Sequence, residues 1–170
     1  MLSQLFRIFV DIALWRRGPQ DLPASTTLAW LVTLFYAFAS AVQVGLMGWD
    51  VRPAVILIVL DLALQAAWLW GLLAFYAKRP RFLQSFTAFL GVGALITVLD
   101  IVISSLMTQL GVTSGSPANP WPFLHLTLVL LLLGRVLQQA LERSLLLSMS
   151  LTLVIMITIS IIAKGLLPGV

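Results

Sequence analysis

Five apolar stretches follow one another along this chain, separated by short polar interruptions at about 27–47, 54–77, 82–110, 121–141 and 145–166. About 20 consecutive apolar residues suffice to cross the hydrocarbon core of a bilayer as a helix. The pattern therefore predicts an all-α fold, a polytopic transmembrane bundle of five spans occupying residues 24–170. Residues 1–23 read differently. Gln4, Arg7 and Asp11 fall on one stripe of a helical turn pattern, and Leu5, Phe6, Phe9, Ile12 and Trp15 fill the rest. A narrow polar stripe closed by Trp15-Arg16-Arg17 predicts an amphipathic helix in the plane of the headgroups. The plainer alternative is a helix packed on the end of the bundle. Arg7 and Asp11 are spaced for an ion pair one turn apart. Gly18–Pro23 ends this helix, and Ser25 is placed to cap the first span.

Small residues recur at four-residue steps in the first two spans: Ala37, Ala41 and Gly45, then Ala63, Ala67 and Gly71. Such stripes let helix backbones approach closely, so the first two spans are expected to pack as a tight antiparallel pair. Polar residues keep helical spacing as well. Asp61, Gln65 and Trp68 share one face of the second span, away from its small stripe, and Gly93, Thr97, Asp100 and Ser104 share one face of the third. That seam should meet protein or a hydrated crevice, because polar groups facing lipid are costly. Arg135, Gln138, Gln139 and Glu142 form a stripe at the cytoplasmic end of the fourth span, where Arg135 is deep enough to need snorkelling or a partner such as Glu142. Ser144, Ser148 and Thr152 can return hydrogen bonds to the preceding helical turn. The segment 111–122 carries no charge and is the longest expected excursion outside the bilayer.

Charge then orients the spans. Lys78, Arg79 and Arg81 form a basic turn between spans two and three, and short cytoplasmic loops collect such residues. Arg7, Arg16, Arg17, Arg135 and Arg143 fall on the same side of the pattern, whereas the other side holds only Arg52 and Lys164. The expectation is a cytoplasmic (inner) membrane protein with its N-terminus inside and its C-terminus on the far side. The first helix has no small-residue cleavage site after its apolar run, so it is expected to stay on the mature protein.

Composition agrees with a lipid environment: 61% of residues are hydrophobic and 9% charged, against about 25% charged in soluble domains. The net charge of +4 is scattered over span ends rather than gathered into a patch, which argues against nucleic acid as a partner. The chain has no cysteine, so thiolate chemistry, disulfides and cysteine-bound metals are excluded. His125 is the single imidazole and reads as a hydrogen-bonded interfacial histidine. With no second histidine nearby in the sequence, neither a metal nor another cofactor is expected. Gly91-Val92-Gly93 lies inside a span, where glycine serves helix contact rather than phosphate binding.

Asp61 and Asp100 are the sharpest candidates for chemistry. Asp61 lies 17 residues before Lys78 and Asp100 lies 19 after Arg81, which is roughly 26–29 Å along each helix and predicts similar depth. A charged carboxylate near mid-membrane costs about 2.5–3.5 kcal/mol, so each must be neutralised, paired or hydrated. Two readings follow. The pair could share a proton as a relay, or both acids could act as neutral polar ties, with Gln65 and Thr97 as neighbours.

An N-terminal cytoplasmic segment followed by five closely spaced spans resembles the Yip (Ypt-interacting protein) family and its bacterial relatives. The stretch Arg81–Leu95, in which a polar lead-in meets a glycine-containing apolar helix, is similar to their third span. The Asp-Leu-Tyr-Gly-Pro signature of the eukaryotic members has no counterpart here, so no site residue is carried over. The sequence thus points to a non-enzymatic scaffold or accessory protein with the bilayer and an integral-membrane protein, or a second copy, as partners. The alternative is a proton-coupled carrier of a small or lipid-like solute using Asp61 and Asp100. A lipid-directed membrane enzyme ranks third and would need His125.

Overall fold

A computed structural model describes residues 2–112 and 119–166 of the chain, with side chains from Phe6 onward. The described residues form α1 (Leu2–Ala13), α2 (Thr26–Leu46), α3 (Val51–Phe75), α4 (Phe82–Gln109), α5 (Trp121–Leu141) and α6 (Leu145–Leu166). Single 3-10 turns at Pro19–Asp21 and Arg79–Arg81 precede α2 and α4. Helices α2 to α6 are each long and apolar enough to cross a membrane. The fold is an all-α helical bundle.

Local chemistry explains the helix ends. The Leu28 amide donates to Ser25 Oγ at 3.3 Å, the cap expected for the first span. Helix α3 starts three residues before the expected Ala54, because Pro53 sits in its first turn, where a missing N–H costs nothing. The Trp121 amide donates to Asn119 Oδ1 at 3.0 Å as α5 begins. At one end of the bundle the chain leaves its helices through left-handed residues with side chains, Trp15, Ala77 and Glu142. At the other end the corresponding residues are Gly48 and Gly111, which adopt φ +78° and +76° without a Cβ clash. The expected excursion at 111–122 lies partly outside the described residues.

Helix α4 is the axis of the assembly. Ser85 and every residue from Thr87 to Ala94 are buried, so its first half meets protein on all sides. Helix α2 lies along it on one flank and α5 on another, and α5 pairs closely with α6. A Cβ on Gly134 of α5 would come within 3.2 Å of the Met149 Cα of α6, so the glycine sets that distance. Helices α3 and α6 touch each other, and α3 buries only Gln65, Leu69 and Leu73.

The tight pairing expected of the first two spans does not form through their small residues. Ala41, Gly45, Ala63, Ala67 and Gly71 are exposed, Ala37 is half-buried, and nothing lies within 4 Å of a Cβ built on Gly45 or Gly71. Helix α2 instead spends its packing face on α4. The close approaches belong to other glycines: Gly91 lies beneath the Phe9 ring of α1, and Gly93 faces Tyr36 of α2, whose Cε2 would be 3.2 Å from a Cβ.

Helix α1 packs against α4, with Phe9 and Ile12 buried, while Phe6, Leu14 and Trp15 stay exposed. Protein, not headgroups alone, receives its apolar side. Asp11 pairs with Arg17 (3.5 Å) and Arg16 (3.8 Å) rather than Arg7. The left-handed turn at Trp15 folds the chain back, and the Arg16 and Arg17 amides both reach the Asp11 carbonyl. Leu22 is then buried, and Gln84 of α4 donates to its carbonyl at 2.7 Å.

The same end of the bundle gathers its charges into ties between helices. Glu142 accepts Lys78 Nζ at 2.5 Å and Arg81 Nη1 at 2.6 Å, closing the basic turn onto the α5–α6 corner. Lys78, then Arg81, hold its carboxyl below the usual glutamate range. Arg135 therefore does not pair with Glu142: it donates to Gln138 Oε1 at 2.5 Å, and its guanidinium lies 5.2 Å over the Trp15 ring. Arg143 lies 5.0 Å over Tyr76.

Candidate functional site

Polar side chains within the spans assemble into two clusters on either side of one cavity. The first is built on α2 and α3. Tyr36 donates its hydroxyl to Asp61 Oδ2 at 2.8 Å. Gln65, one turn from Asp61, donates its Nε2 to the same oxygen at 2.7 Å and to Tyr36 Oη at 3.0 Å. Gly93 of α4 supplies the space Tyr36 needs. Trp68 lies on the same face, and its Nε1 meets no partner among the described residues.

The second cluster centres on Asp100 of α4. Gln43 of α2 donates to Oδ2 at 2.5 Å, and Trp121 of α5 donates its Nε1 to Oδ1 at 2.7 Å. Ser104, one turn on, donates to Oδ1 at 3.3 Å. His125 Nδ1 lies 2.9 Å from Oδ1, at ion-pair distance but without the alignment of a linear hydrogen bond. The imidazole packs edge-on to the Trp121 ring, centroids 5.8 Å apart. Three helices thus converge on one carboxylate.

The two aspartates do not share a site. Tyr36 and Gln43, which hold them, are seven residues apart on α2, a rise of about 10 Å. The expectation of equal depth assumed that α3 and α4 run in register from the basic turn. Instead α3 packs only lightly on α4 and takes its register from Tyr36. Thr97, expected beside the acids, lines the space between them.

That space is a cavity of about 280 Å³ bounded by Tyr36, Asp61, Gln65, Thr97 and His125, with apolar walls from Phe89, Val129, Leu133 and Ile155. A second hollow of about 430 Å³ is bounded by Gln43, Asp100, Ser104, Trp121 and His125 and extends to Val112 and Asn119. Gln43 and His125 border both. Polar side chains therefore line both hollows, from Asn119 near the glycine-stopped end of the bundle, past Asp100, to Asp61. Neither hollow is lined by a lysine or arginine. Among the described residues no three His, Cys, Asp or Glu side chains converge as metal ligands.

The sequence reading found both carboxylates, Gln65 and Thr97 but missed Tyr36, Gln43 and Trp121, and gave His125 no partner. A signal existed: Tyr36, Ser40 and Gln43 share one face of α2, and Trp121 and His125 are one turn apart. Lys78, Arg79 and Arg81 lie at the opposite end from the Asp100 cluster, where Arg79 rests 5.4 Å over the Trp70 ring.

No family model matches the sequence, and no curated protein or solved structure matches it.

Proposed function

We propose that this chain is a proton-coupled carrier of a small solute, seated in the cytoplasmic (inner) membrane with its N-terminus inside and its C-terminus on the far side. One observation carries the reading: Asp61 and His125 border one cavity, and His125 and Gln43 also border the neighbouring hollow that Asp100 lines. Polar ties that merely hold helices together need no such space between them. Two acids and an imidazole lining the two hollows can pass and hold protons, one of the roles that ionisable residues take inside membranes. No covalent step is involved, so the protein is read as non-enzymatic. The orientation rests on charge: Arg16, Arg17, Lys78, Arg79, Arg81, Arg135 and Arg143 lie toward one end and Arg52 and Lys164 toward the other. The Yip-like span plan is compatible with this reading and assigns it no residues.

The experiment uses purified chain in liposomes loaded with a pH-sensitive dye. A panel of amines, amino acids, sugars and short carboxylic acids is added outside. At least one class should drive proton movement that Asp61→Asn abolishes and Asp50→Asn preserves. If no class does so, the carrier reading fails.

A scaffold or accessory role is favoured by a different observation. The stripe of Ala63, Ala67 and Gly71 is exposed on α3, the most weakly packed span, and suits close approach by another membrane helix, including one from a second copy.

A further inference from the structure

The cavity at Asp61 has a chemistry that selects its occupant. Every hydrogen bond the Asp61 carboxylate accepts falls on Oδ2, so among the described residues Oδ1 has no donor. Among the described residues no Lys, Arg or His lies at ion-pair distance from it. Asp61 thus lacks a fixed positive partner, whereas Asp100 has His125 beside it. A carboxylate in a membrane span needs that charge supplied by a proton or by a cation.

The walls narrow the choice. Tyr36 and Phe89 present aromatic rings, which attract cations through their negative faces. Ile96, Val129, Leu133 and Ile155 make much of the wall apolar. Among its oxygen-bearing side chains, Thr97, Thr152 and Ser160 included, Asp61 is the one carboxylate, a thin set beside the about six to eight oxygen ligands that a hard ion such as calcium calls for. A cation with its charge spread over carbon loses little in such a site. Anions are disfavoured throughout, since the route holds two carboxylates and no lysine or arginine.

We infer that the cavity is a binding site for a small organic cation, an alkylated amine or quaternary ammonium ion, which seats against Asp61 Oδ1 and displaces a proton there. The exchange conserves charge: one cation enters and one proton leaves toward the hollow at Asp100. This assignment rests on the carrier reading and names its solute. The titratable groups facing the cavity are Tyr36 from α2, Asp61 from α3 and His125 from α5; α4 and α6 contribute none.

The probe is labelled tetramethylammonium, measured by equilibrium dialysis against the full chain in nanodiscs between about pH 6 and 9. Binding should weaken as pH falls, by up to about tenfold per unit, with one proton released per cation bound. Asp61→Asn should lower affinity by about a hundredfold or more, while Asp61→Glu should retain both binding and proton release. Thr97→Leu narrows the cavity without touching the carboxylate and should cost at least about tenfold, which keeps the test decisive if Asp61→Asn misfolds. Asp50→Asn should match the unsubstituted chain. The assignment is overturned if tetramethylammonium does not bind, binds Asp61→Asn equally, or binds without regard to pH. If anionic or neutral solutes drive protons while tetramethylammonium fails to bind, the ligand class falls and the carrier stands. If it binds with proton release but no solute moves protons across liposomes, the site stands and the carrier falls.

Discussion

Replacing Gly91 with alanine tests how the first helix is held. A Cβ at this position would overlap Cε1 and Cδ1 of Phe9 and come within 2.9 Å of its Cζ, so the ring must move. Phe9 is buried on α1 and Ile12, one turn further, is 1% exposed, so a shift of the ring disturbs the docking of the whole helix. Forcing one extra methyl into a packed contact costs about 1–3 kcal/mol. Undocking into water would expose two large side chains at about 1.5–3 kcal/mol each, more than the strain it relieves. Undocking into lipid carries no such penalty, because hydrocarbon is as apolar as the helix face. The chain is therefore expected to release α1 into the bilayer boundary rather than bear the clash. Because the sequence contains no cysteine, Ile12→Cys gives a single reporter. It should resist a lipid-soluble maleimide with Gly91 in place and react with it several-fold faster alongside Gly91→Ala, once the thiol leaves the packed contact for the hydrated bilayer boundary. Phe9→Ala removes the ring at a cost of about 3–5 kcal/mol, and adding Gly91→Ala to it should cost nothing further. Equal labelling in both backgrounds, or additive losses in the double variant, would refute the seating of Phe9 on Gly91.

Three further outcomes follow. Glu142→Gln should loosen the corner and lower the melting temperature slightly at neutral pH. Lys78 and Arg81 hold the folded carboxyl below its ordinary range, so its contribution exists above that range and fades as pH falls through the folded value. Melting curves of the two proteins should accordingly converge in acid. Trp121→Phe removes one donor from Asp100 Oδ1 and should cost about 1–3 kcal/mol in thermal unfolding, the range for a hydrogen bond to a buried polar group. Ala67→Leu adds bulk on an exposed face and should leave chain stability within about 0.5 kcal/mol. If it nevertheless dissociates an oligomer in sedimentation, the scaffold reading gains over the carrier.

Periodicity and length carried the spans, and the residues sharing each face were legible too: Asp61 with Gln65, and Gly93 with Thr97 and Asp100. What periodicity does not contain is which neighbour a face will meet. In a lipid-facing bundle the outward and inward surfaces are both apolar, so no amphipathic stripe marks the seam. The pairing of α2 with α4 rather than α3 was hidden for that reason. Small residues misled for a related one: Gly91, Gly93 and Gly134 meet bulky partners, whereas Gly45 and Gly71 meet none. Charge partners were misassigned where the chain bends. Spacing along one helix favoured Arg7 for Asp11 and Arg135 for Glu142, but the turns at Trp15 and at the α3–α4 junction bring other cations closer.

The two ends of the bundle stop their helices by different means, and this makes them mechanically unequal. Trp15 and Glu142 accept an unfavourable left-handed backbone, at about 1–2 kcal/mol each, and each lends its side chain to a clasp on a neighbouring helix, Trp15 under Arg135 and Glu142 between Lys78 and Arg81. Gly48 and Gly111 reach the same conformation freely and clasp nothing, because they have no side chain to lend. Any rocking of these helices would pivot at the riveted basic rim and, beyond the Asp100 ties that join α2, α4 and α5, swing widest at the glycine rim.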